Sequence, residues 1–471
     1  MKRNSPESSF SAKYDLSSAF VRNVVHPLWA KSTHPAYARY LREFERNQYL
    51  DPEELRKLQM RRLRQQLVAA YRYVPFYRHR MTQAEITPLD IQTHEDLQLL
   101  PVLTKRDIQD HQDMLVSSDV PARARERNQT GGSTGSPLQF YVDLERSDSR
   151  MASTARHDRW AGLRPGDWTA RLWGSILDTG EKPHTTPTWR QNFLYRDLTL
   201  NTAAVTDEAM AQYVQLLRRY RPKFMVAYAQ AAVVFANFCR TQGIDDIRFE
   251  SMILSAEMLL PGQRQMLEET FGGKVFNRYG CREVSVIASE CEYHTGMHIN
   301  ADALLVEVEP IQNAPAGMGR VLVTDLLNRS MPLIRYEIGD LANVEFTQCS
   351  CGRSLPLLGA IEGRLTDFLK LPSQKLVSGV ALLTFVVAHL REVRQVQFIQ
   401  HDATHVTLKV VAGPGYGTHT EQELRRRLQP YLEEQIDLTI VLTDHIASEP
   451  SGKYRYVKRY DDNTANTLVA R

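Results

Sequence analysis

The chain has 471 residues and a formal net charge of +3 at pH 7, which excludes a single small domain and gives no global reason to expect a nucleic-acid or membrane partner. No apolar stretch approaches the roughly 20 residues that cross a bilayer, and the polar start of the chain lacks a signal-peptide core. Its five cysteines, an odd number, fit a reducing compartment better than a disulfide framework. We therefore expect a cytoplasmic protein of two or more domains, present as a monomer or a homodimer.

The first clear element is a helix that starts after residue 51. Asp51 is the predicted N-cap, Pro52 takes the first helical position, and apolar residues then recur at helical spacing. The opposite face carries the basic residues Arg56, Lys57, Arg61, Arg62 and Arg64. A basic helix can contact RNA or acidic lipid, but a solvated face is the more common explanation. Residues 1–80 are predicted to be a helical lead-in.

Between residues 100 and 360, short apolar runs alternate with amphipathic stretches, which is typical of an α/β fold. Buried strands are predicted at 225–228, 252–255, 274–277 and 320–323, and helices at 207–220 and 261–271. Polar residues follow these strands, where open α/β sheets usually bind ligands: Ser255, Glu257, Tyr279 and Glu283.

The pattern changes after Gly363-Arg364. Alternating residues predict strands at 393–400, 405–411 and 436–442, with a helix at 421–435, which makes a small α+β unit. We predict a large N-terminal domain over residues 1–363 and a C-terminal lid over residues 364–471.

The segment Thr130-Gly131-Gly132-Ser133-Thr134-Gly135-Ser136-Pro137 suits a loop that wraps a phosphate. Glycines let backbone N–H groups turn inward without a Cβ penalty, and Ser133 and Thr134 add hydroxyl donors. The segment is not a Walker motif, because no lysine follows Gly135. Taken alone, an ordinary Gly/Ser-rich surface loop is the more common explanation of such a segment.

Four later segments follow this loop in a fixed order: Tyr279-Gly280-Cys281-Arg282-Glu283, Arg335-Tyr336-Glu337-Ile338-Gly339-Asp340, Gly363-Arg364 and Ser451-Gly452-Lys453. The series resembles the adenylate-forming superfamily, and within it the phenylacetate-CoA ligase family with its CapK-like branch. The likeness runs over nearly the whole chain. It implies ATP-dependent activation of a carboxylic acid through an acyl-adenylate.

The resemblance also implies a role for each matching residue. The loop residues Thr130, Gly131, Gly132, Ser133, Thr134 and Gly135 would hold the ATP phosphates. Glu283 would help to hold Mg²⁺, a hard cation suited to carboxylate and phosphate oxygens. The remaining nucleotide contacts are Ala256, Glu257, Asn277, Tyr279 against the adenine, Gly280 and Asp340 on the ribose hydroxyls.

Two further roles concern the lid. Arg364, at the junction of the two domains, would approach the ribose and phosphates, with an interdomain salt bridge as the alternative. Lys453 would reach the forming acyl-phosphate bond when the lid closes, since a flexible stem ending in a point charge suits that task. The family often has Asp two residues after the arginine, whereas here Thr366 stands there and Asp367 follows. The hinge residue is therefore open.

The cysteines form a second candidate site. Cys349 and Cys351 lie on one tight turn, and Cys291 precedes a segment that contains His294 and His298. Three cysteines and one histidine would complete a tetrahedral zinc site, with His298 the first choice and His294 the second. Some members of the family carry a structural zinc in the corresponding region. Buried free thiols are the alternative.

The leading functional prediction is an AMP-forming ligase that adenylates an aromatic or related acid and transfers the acyl group to coenzyme A. Transfer to an amine, which would form an amide, is the alternative within enzymes. A catalytically silent nucleotide-binding relative is the third reading, although Glu283, Asp340 and Lys453 together speak against it.

Overall fold

The computed structural model describes residues 16–130, 138–173, 194–201, 206–311, 314, 317–343, 349–364, 367–382, 390, 392–446 and 455–459. The described part of the chain starts, at Leu16, with a series of helices. Its helices are α1 (Leu16–Phe20), a π-helical turn (Val21–Val25), α2 (His26–Thr33), α3 (Tyr37–Asn47), α4 (Pro52–Tyr73), α5 (Pro75–Gln83), a 3₁₀ turn (Glu95–Leu99), α6 (Lys105–Asp110), α7 (Gln112–Leu115) and a second 3₁₀ turn (Ala122–Ala124). Asp51 caps α4 by accepting a hydrogen bond from the backbone N–H of Glu53 at 2.9 Å, which confirms the predicted helix start.

An antiparallel hairpin and a long helix connect the lead-in to the sheets. The hairpin pairs β1 (Arg125–Gln129) with β2 (Gln139–Asp143), and α8 (Leu144–Trp160) follows directly. The carboxylate of Asp143 accepts from the backbone N–H of Arg146 at 2.7 Å, so α8 begins with a side-chain cap.

The remaining elements of the large domain build two sheets. In chain order they are β3 (Thr169–Leu172), β4 (Asp197–Leu200), α9 (Asp207–Tyr220), β5 (Phe224–Tyr228), α10 (Ala229–Thr241), β6 (Ser251–Ser255), α11 (Pro261–Phe271), β7 (Lys274–Cys281), β8 (Ser285–Glu290), β9 (Met297–Ile299), β10 (Leu304–Pro310), β11 (Met318–Asp325), β12 (Tyr336–Asn343), β13 (Leu357–Leu358) and β14 (Ile361–Arg364). The first sheet has the order β13-β9-β8-β7-β6-β5-β3-β4, with parallel pairing from β4 to β7 and antiparallel pairing beyond it. The second, β10-β11-β12-β14, is antiparallel. The predicted α/β fold and its strands are confirmed.

The C-terminal part has its own sheet and its own apolar core. Its elements are β15 (Phe368–Lys370), β16 (Leu376–Ser378), α12 (Gly379–Leu382), β17 (Val393–Gln400), β18 (His405–Ala412), α13 (Thr418–Leu428), a 3₁₀ turn (Gln429–Tyr431), β19 (Asp437–Leu442) and β20 (Val457–Arg459). The sheet order is β19-β18-β17-β20. The helix predicted to end at residue 435 ends at Leu428 instead. Pro430 lacks a backbone donor, so the helix gives way to the 3₁₀ turn.

Arg156, a buried arginine of α8, links α3 to the segment that precedes β10. The guanidinium of Arg156 makes two hydrogen bonds to the carboxylate of Asp302, at 2.9 and 3.0 Å, and a third to the backbone carbonyl of Phe44 in α3 at 3.0 Å. Both charged side chains are buried. A buried charge needs its partner, because removal of one member leaves the other desolvated and uncompensated.

Asp302→Ala is therefore expected to lower the free energy of unfolding by about 3–5 kcal/mol, the usual cost of breaking a buried ion pair. Urea denaturation followed by tryptophan fluorescence measures this change. The matched control is Asp246→Ala, which breaks the exposed pair with Arg218 and is expected to leave the midpoint unchanged. Equal shifts for both variants would contradict a special role for the buried pair.

Candidate functional site

The two ends of the predicted phosphate loop are held together. The backbone N–H of Thr130 donates to the carbonyl of Leu138 at 2.9 Å, and the Thr130 hydroxyl accepts from the N–H of Leu138 at 2.9 Å. The guanidinium of Arg282 donates to the carbonyl of Gln129 at 3.1 Å, which brings the base of the loop to the β7–β8 turn. The predicted loop residues Gly131, Gly132, Ser133, Thr134 and Gly135 lie outside the described residues.

The β7–β8 turn carries the second predicted motif, and it is tightly built. A Cβ at Gly280 would clash with the carbonyl oxygen of Ser285, so the strand can make this turn only with glycine. The Tyr279 hydroxyl donates to Oδ2 of Asp340 at 2.7 Å. Two residues assigned to the nucleotide from separate motifs, 61 positions apart, therefore meet at one point.

Glu283 is held at the end of the same turn. The hydroxyl of Tyr336 donates to Oε1 of Glu283 at 2.9 Å, and the guanidinium of Arg150 donates to the Glu283 backbone carbonyl. Burial lowers the pKa of Arg150 to about 10, and the neighbouring charge of Arg146 acts in the same direction. The carboxylate keeps one oxygen outside this hydrogen bond, and a carboxylate oxygen is a ligand that Mg²⁺ prefers.

Asp340 lies in β12 directly opposite Arg364 in β14. The two residues are paired in the antiparallel register of the second sheet. Gly339, just before Asp340, has a φ of 86°, a backbone conformation that L side chains rarely adopt. The pairing places the backbone of Arg364, at the predicted domain junction, beside Asp340, the predicted ribose ligand.

Three further predicted nucleotide-binding residues follow β6 in the chain: Ala256, Glu257 and Asn277. Ala256 has a φ of 70°, an uncommon left-handed conformation for a non-glycine residue and one that clusters at functional sites. The carboxylate of Glu257 accepts from the backbone N–H of Gln230 at 2.8 Å, at the start of α10. Glu257 therefore caps a helix, a role that the sequence did not indicate. Asn277 joins this edge through its backbone N–H, which donates to Glu290 at 2.8 Å.

The C-terminal unit contacts this edge of the sheet. Met258 and Leu260, between β6 and α11, pack against its apolar core. The Tyr456 hydroxyl lies 3.4 Å from Oε1 of Gln230, which also accepts from Gln263 at 3.4 Å. Lys453 lies outside the described residues, three positions before Tyr456.

The predicted zinc ligands form one cluster. The ligand atoms of Cys291, His298, Cys349 and Cys351 all lie within 4.8 Å of one another. The sulfurs of Cys291 and Cys349 are 3.7 Å apart, and Sγ of Cys351 is 3.3 Å from Nε2 of His298. Tetrahedral zinc with bonds of about 2.3 Å to sulfur and 2.0 Å to nitrogen requires separations of about 3.8 and 3.5 Å. The two measured separations are close to these values.

The choice between the two histidines is clear from their partners. His298 is buried, and its Nδ1 bonds to the carbonyl of Leu355 at 2.8 Å, which leaves Nε2 facing the cysteines. Burial lowers the pKa of His298, so the ring is neutral and can donate a lone pair. His294 instead directs its Nδ1 to Glu290 at 3.2 Å. His298 is the histidine of the cluster.

Comparison with known proteins shows the family of the chain. A phenylacetate-coenzyme A ligase of Thermus thermophilus is 30% identical over 331 residues, which are 68% of this chain and 72% of the relative. The chain belongs to the phenylacetate-CoA ligase family. Protein CapK of Staphylococcus aureus is 23% identical over 381 residues, 77% of this chain and 80% of that protein. The CapK C-terminal domain profile matches residues 369–460.

The fold likeness extends to solved structures. A crystal structure of 2-hydroxyisobutyryl-CoA ligase in the postadenylation state, in complex with R3-HIB-AMP, superposes with a TM-score of 0.71 at 22% identity. The match covers 90% of this chain and 93% of that one. The predicted fold of an adenylate-forming domain followed by a small C-terminal domain is thereby confirmed.

Sequence reasoning missed two residues that shape the site of this phenylacetate-CoA ligase family member. Tyr336 holds Glu283, and Arg150 holds the backbone of the same residue. Tyr336 stands inside the motif that ends at Asp340, so its position was a usable signal. Arg150 lies within the amphipathic α8, and no sequence pattern there indicated a contact with the site.

The described part of the chain contains no helix that is both long and apolar enough to cross a membrane.

Proposed function

We propose that this protein is an ATP-dependent, AMP-forming ligase that adenylates an aromatic or related carboxylic acid and transfers the acyl group to coenzyme A. The observation that carries the proposal is the hydrogen bond between Tyr279 and Asp340, beside the backbone of Arg364 and one turn from Glu283. The implied adenine and Mg²⁺ contacts belong to one motif and the implied ribose contact to a second, and the two motifs meet there. Two relatives, the phenylacetate-coenzyme A ligases of Thermus thermophilus and Pseudomonas putida, support the same reaction.

In the first step a carboxylate oxygen of the acid attacks the α-phosphorus of ATP, and the bond to pyrophosphate breaks. Tyr279 packs against the adenine, Asp340 accepts from the ribose hydroxyls, and the loop from Thr130 donates to the phosphates. Mg²⁺ neutralises phosphate charge when bound, and Glu283 is the carboxylate that would hold it. In the second step the thiol sulfur of coenzyme A attacks the acyl carbonyl, and AMP leaves.

The side chains at the carboxyl ends of β3 and β5 support an aromatic acid as the substrate. The rings of Trp173 and Tyr228 have centroids 4.4 Å apart, and Trp173 packs against the apolar cluster that includes Val226 and Phe276. Flat apolar surfaces of this kind favour aryl groups through offset or edge contacts.

Lys453 provides the test of the adenylation step. Lys453→Ala is expected to lower acid-dependent ATP–pyrophosphate exchange by about 100-fold or more, because a charge that stabilises the transition state is lost. Thioester formation from supplied phenylacetyl-adenylate and coenzyme A is expected to persist. The matched control is Lys375→Ala, an exposed lysine of the same C-terminal unit. Equal loss of both half-reactions would refute the assigned role.

We further propose that residues 364–471 act as a lid and that Tyr456 holds this lid against the adenylation edge through Gln230. Tyr456→Phe keeps the ring but removes the hydroxyl, so the closed arrangement loses one hydrogen bond. The rate of ATP–pyrophosphate exchange is expected to fall by about fivefold, in line with roughly 1 kcal/mol for such a bond. Thioester formation from the adenylate is not expected to slow.

The control for the lid is Tyr431→Phe, which changes an exposed tyrosine of the same unit. An unchanged exchange rate in Tyr456→Phe would show that the contact does not hold the lid. A similar loss in Tyr431→Phe would attribute the effect to the unit as a whole.

The cysteine cluster is proposed as a structural zinc site, since three sulfurs and one imidazole leave no open position for a substrate. Purified protein is expected to contain about one zinc per chain by mass spectrometry. Cys351→Ser is expected to lose the metal and to lower the thermal unfolding midpoint. Cys239→Ala, which changes a buried thiol outside the cluster, is the control and is expected to retain zinc. Wild-type protein without zinc would remove this site from the account.

A further inference from the structure

A basic groove lies on the N-terminal helices, away from the adenylation edge. The groove has a volume of about 710 Å³ and runs between α2, α3 and the end of α8. Its lining includes five cationic side chains, Arg22, Lys31, Arg42, Arg159 and Arg164, and a single carboxylate, Glu45. Arg164 precedes β3, so the groove lies near the amino ends of the parallel strands, whereas the nucleotide site lies at their carboxyl ends.

Much of this positive charge is not neutralised by ion pairs among the described residues. Glu45 pairs with Arg159, and Arg22 pairs with Asp167 at 2.7 Å. The side chains of Lys31, Arg42 and Arg164 are exposed and form no ion pair with any residue in the described ranges. The groove therefore presents three available cations to solvent.

A row of apolar side chains lies beside the groove on the same helical segment. Phe20, Val24 and Leu28 follow one another at intervals of four residues, through α1, the π-helical turn and α2. Their exposed fractions are 51%, 42% and 65%. Exposed apolar residues scattered singly need no explanation, but here three recur at intervals of four residues on the helical segment that also carries groove residues such as Lys31.

We propose that this surface, formed by Phe20, Val24, Leu28, Lys31 and Arg42, docks the protein on a membrane rich in anionic lipids. Interfacial helices bind in this way: apolar side chains enter the boundary between headgroups and acyl chains, while Lys and Arg contact lipid phosphates. The concave groove gives a headgroup phosphate room between Lys31, Arg42 and Arg164.

The charge and the apolar row together favour an anionic membrane over two other partners for this surface, a second copy of the chain and a nucleic acid. In a symmetric dimer the same patch would face itself, which would bring the unpaired cations of two copies together. A nucleic acid would neutralise the cations but leave the apolar row in water. An anionic bilayer satisfies both parts of the surface. Residues 16–47 alone carry five Lys or Arg and two Glu, a net charge of +3 that equals the whole chain's, so the global charge hides this patch.

Vesicle flotation with the full-length protein tests the proposal. The wild type is expected to float with vesicles of phosphatidylcholine and phosphatidylglycerol but not with phosphatidylcholine alone, and added salt is expected to weaken the binding. The Lys31→Glu/Arg42→Glu variant is expected to lose binding by at least tenfold, as is Phe20→Ser/Leu28→Ser. Both variants are expected to retain acid-dependent ATP–pyrophosphate exchange, which shows that they fold.

The matched control is Arg61→Glu/Arg72→Glu, which makes the same charge change on two exposed arginines of α4 and is expected to bind as the wild type does. Absence of wild-type binding to anionic vesicles would overturn the proposal, and so would an equal loss in the control. A wild-type dimer that dissociates in Phe20→Ser/Leu28→Ser would assign the surface to a second copy of the chain instead.

Discussion

The buried arginines of α8 are the constraint on which the rest of the structure depends. Arg146 is fully buried, and its guanidinium donates to Asp325 at 2.9 Å and to the backbone carbonyl of Val284 at 3.3 Å. Arg150 holds the adjacent carbonyl of Glu283. Hydrogen bonds to a guanidinium offset the cost of removing it from water, and these two hold the backbone carbonyls of Val284 and Glu283 in place. The turn that carries Tyr279 and Glu283 is thus held by hydrogen bonds from α8.

The same helix orders the second candidate site. Trp160, at the end of α8, packs edge-on against His298 and donates to the side-chain carbonyl of Gln48 at 3.0 Å. That carbonyl also accepts from Arg353, two residues after Cys351. The cysteine cluster and the β7–β8 turn therefore both contact the same helix, α8.

The sequence predicted the periodic elements well and the long-range contacts poorly. Strands β5, β6 and β7 and the start of α4 were readable because hydrophobic period and capping are local signals. The link between Arg146 and Asp325 spans 179 residues, and no local pattern reports it. The contact between Glu257 and the start of α10 is likewise a long-range contact that no local pattern indicated. The motif order, by contrast, located Tyr279 and Asp340, whose contact no single motif predicts.

The most direct measurement of the central claim is the product of the first half-reaction. Protein incubated with ATP, Mg²⁺ and a panel of aryl, fatty and amino acids, without coenzyme A, would be analysed for nucleotides and bound acyl groups by mass spectrometry. The account predicts AMP, pyrophosphate and a bound aryl-adenylate with one class of acid, and release of the thioester when coenzyme A is added. Formation of ADP, or bound ATP with no turnover of any acid, would contradict it.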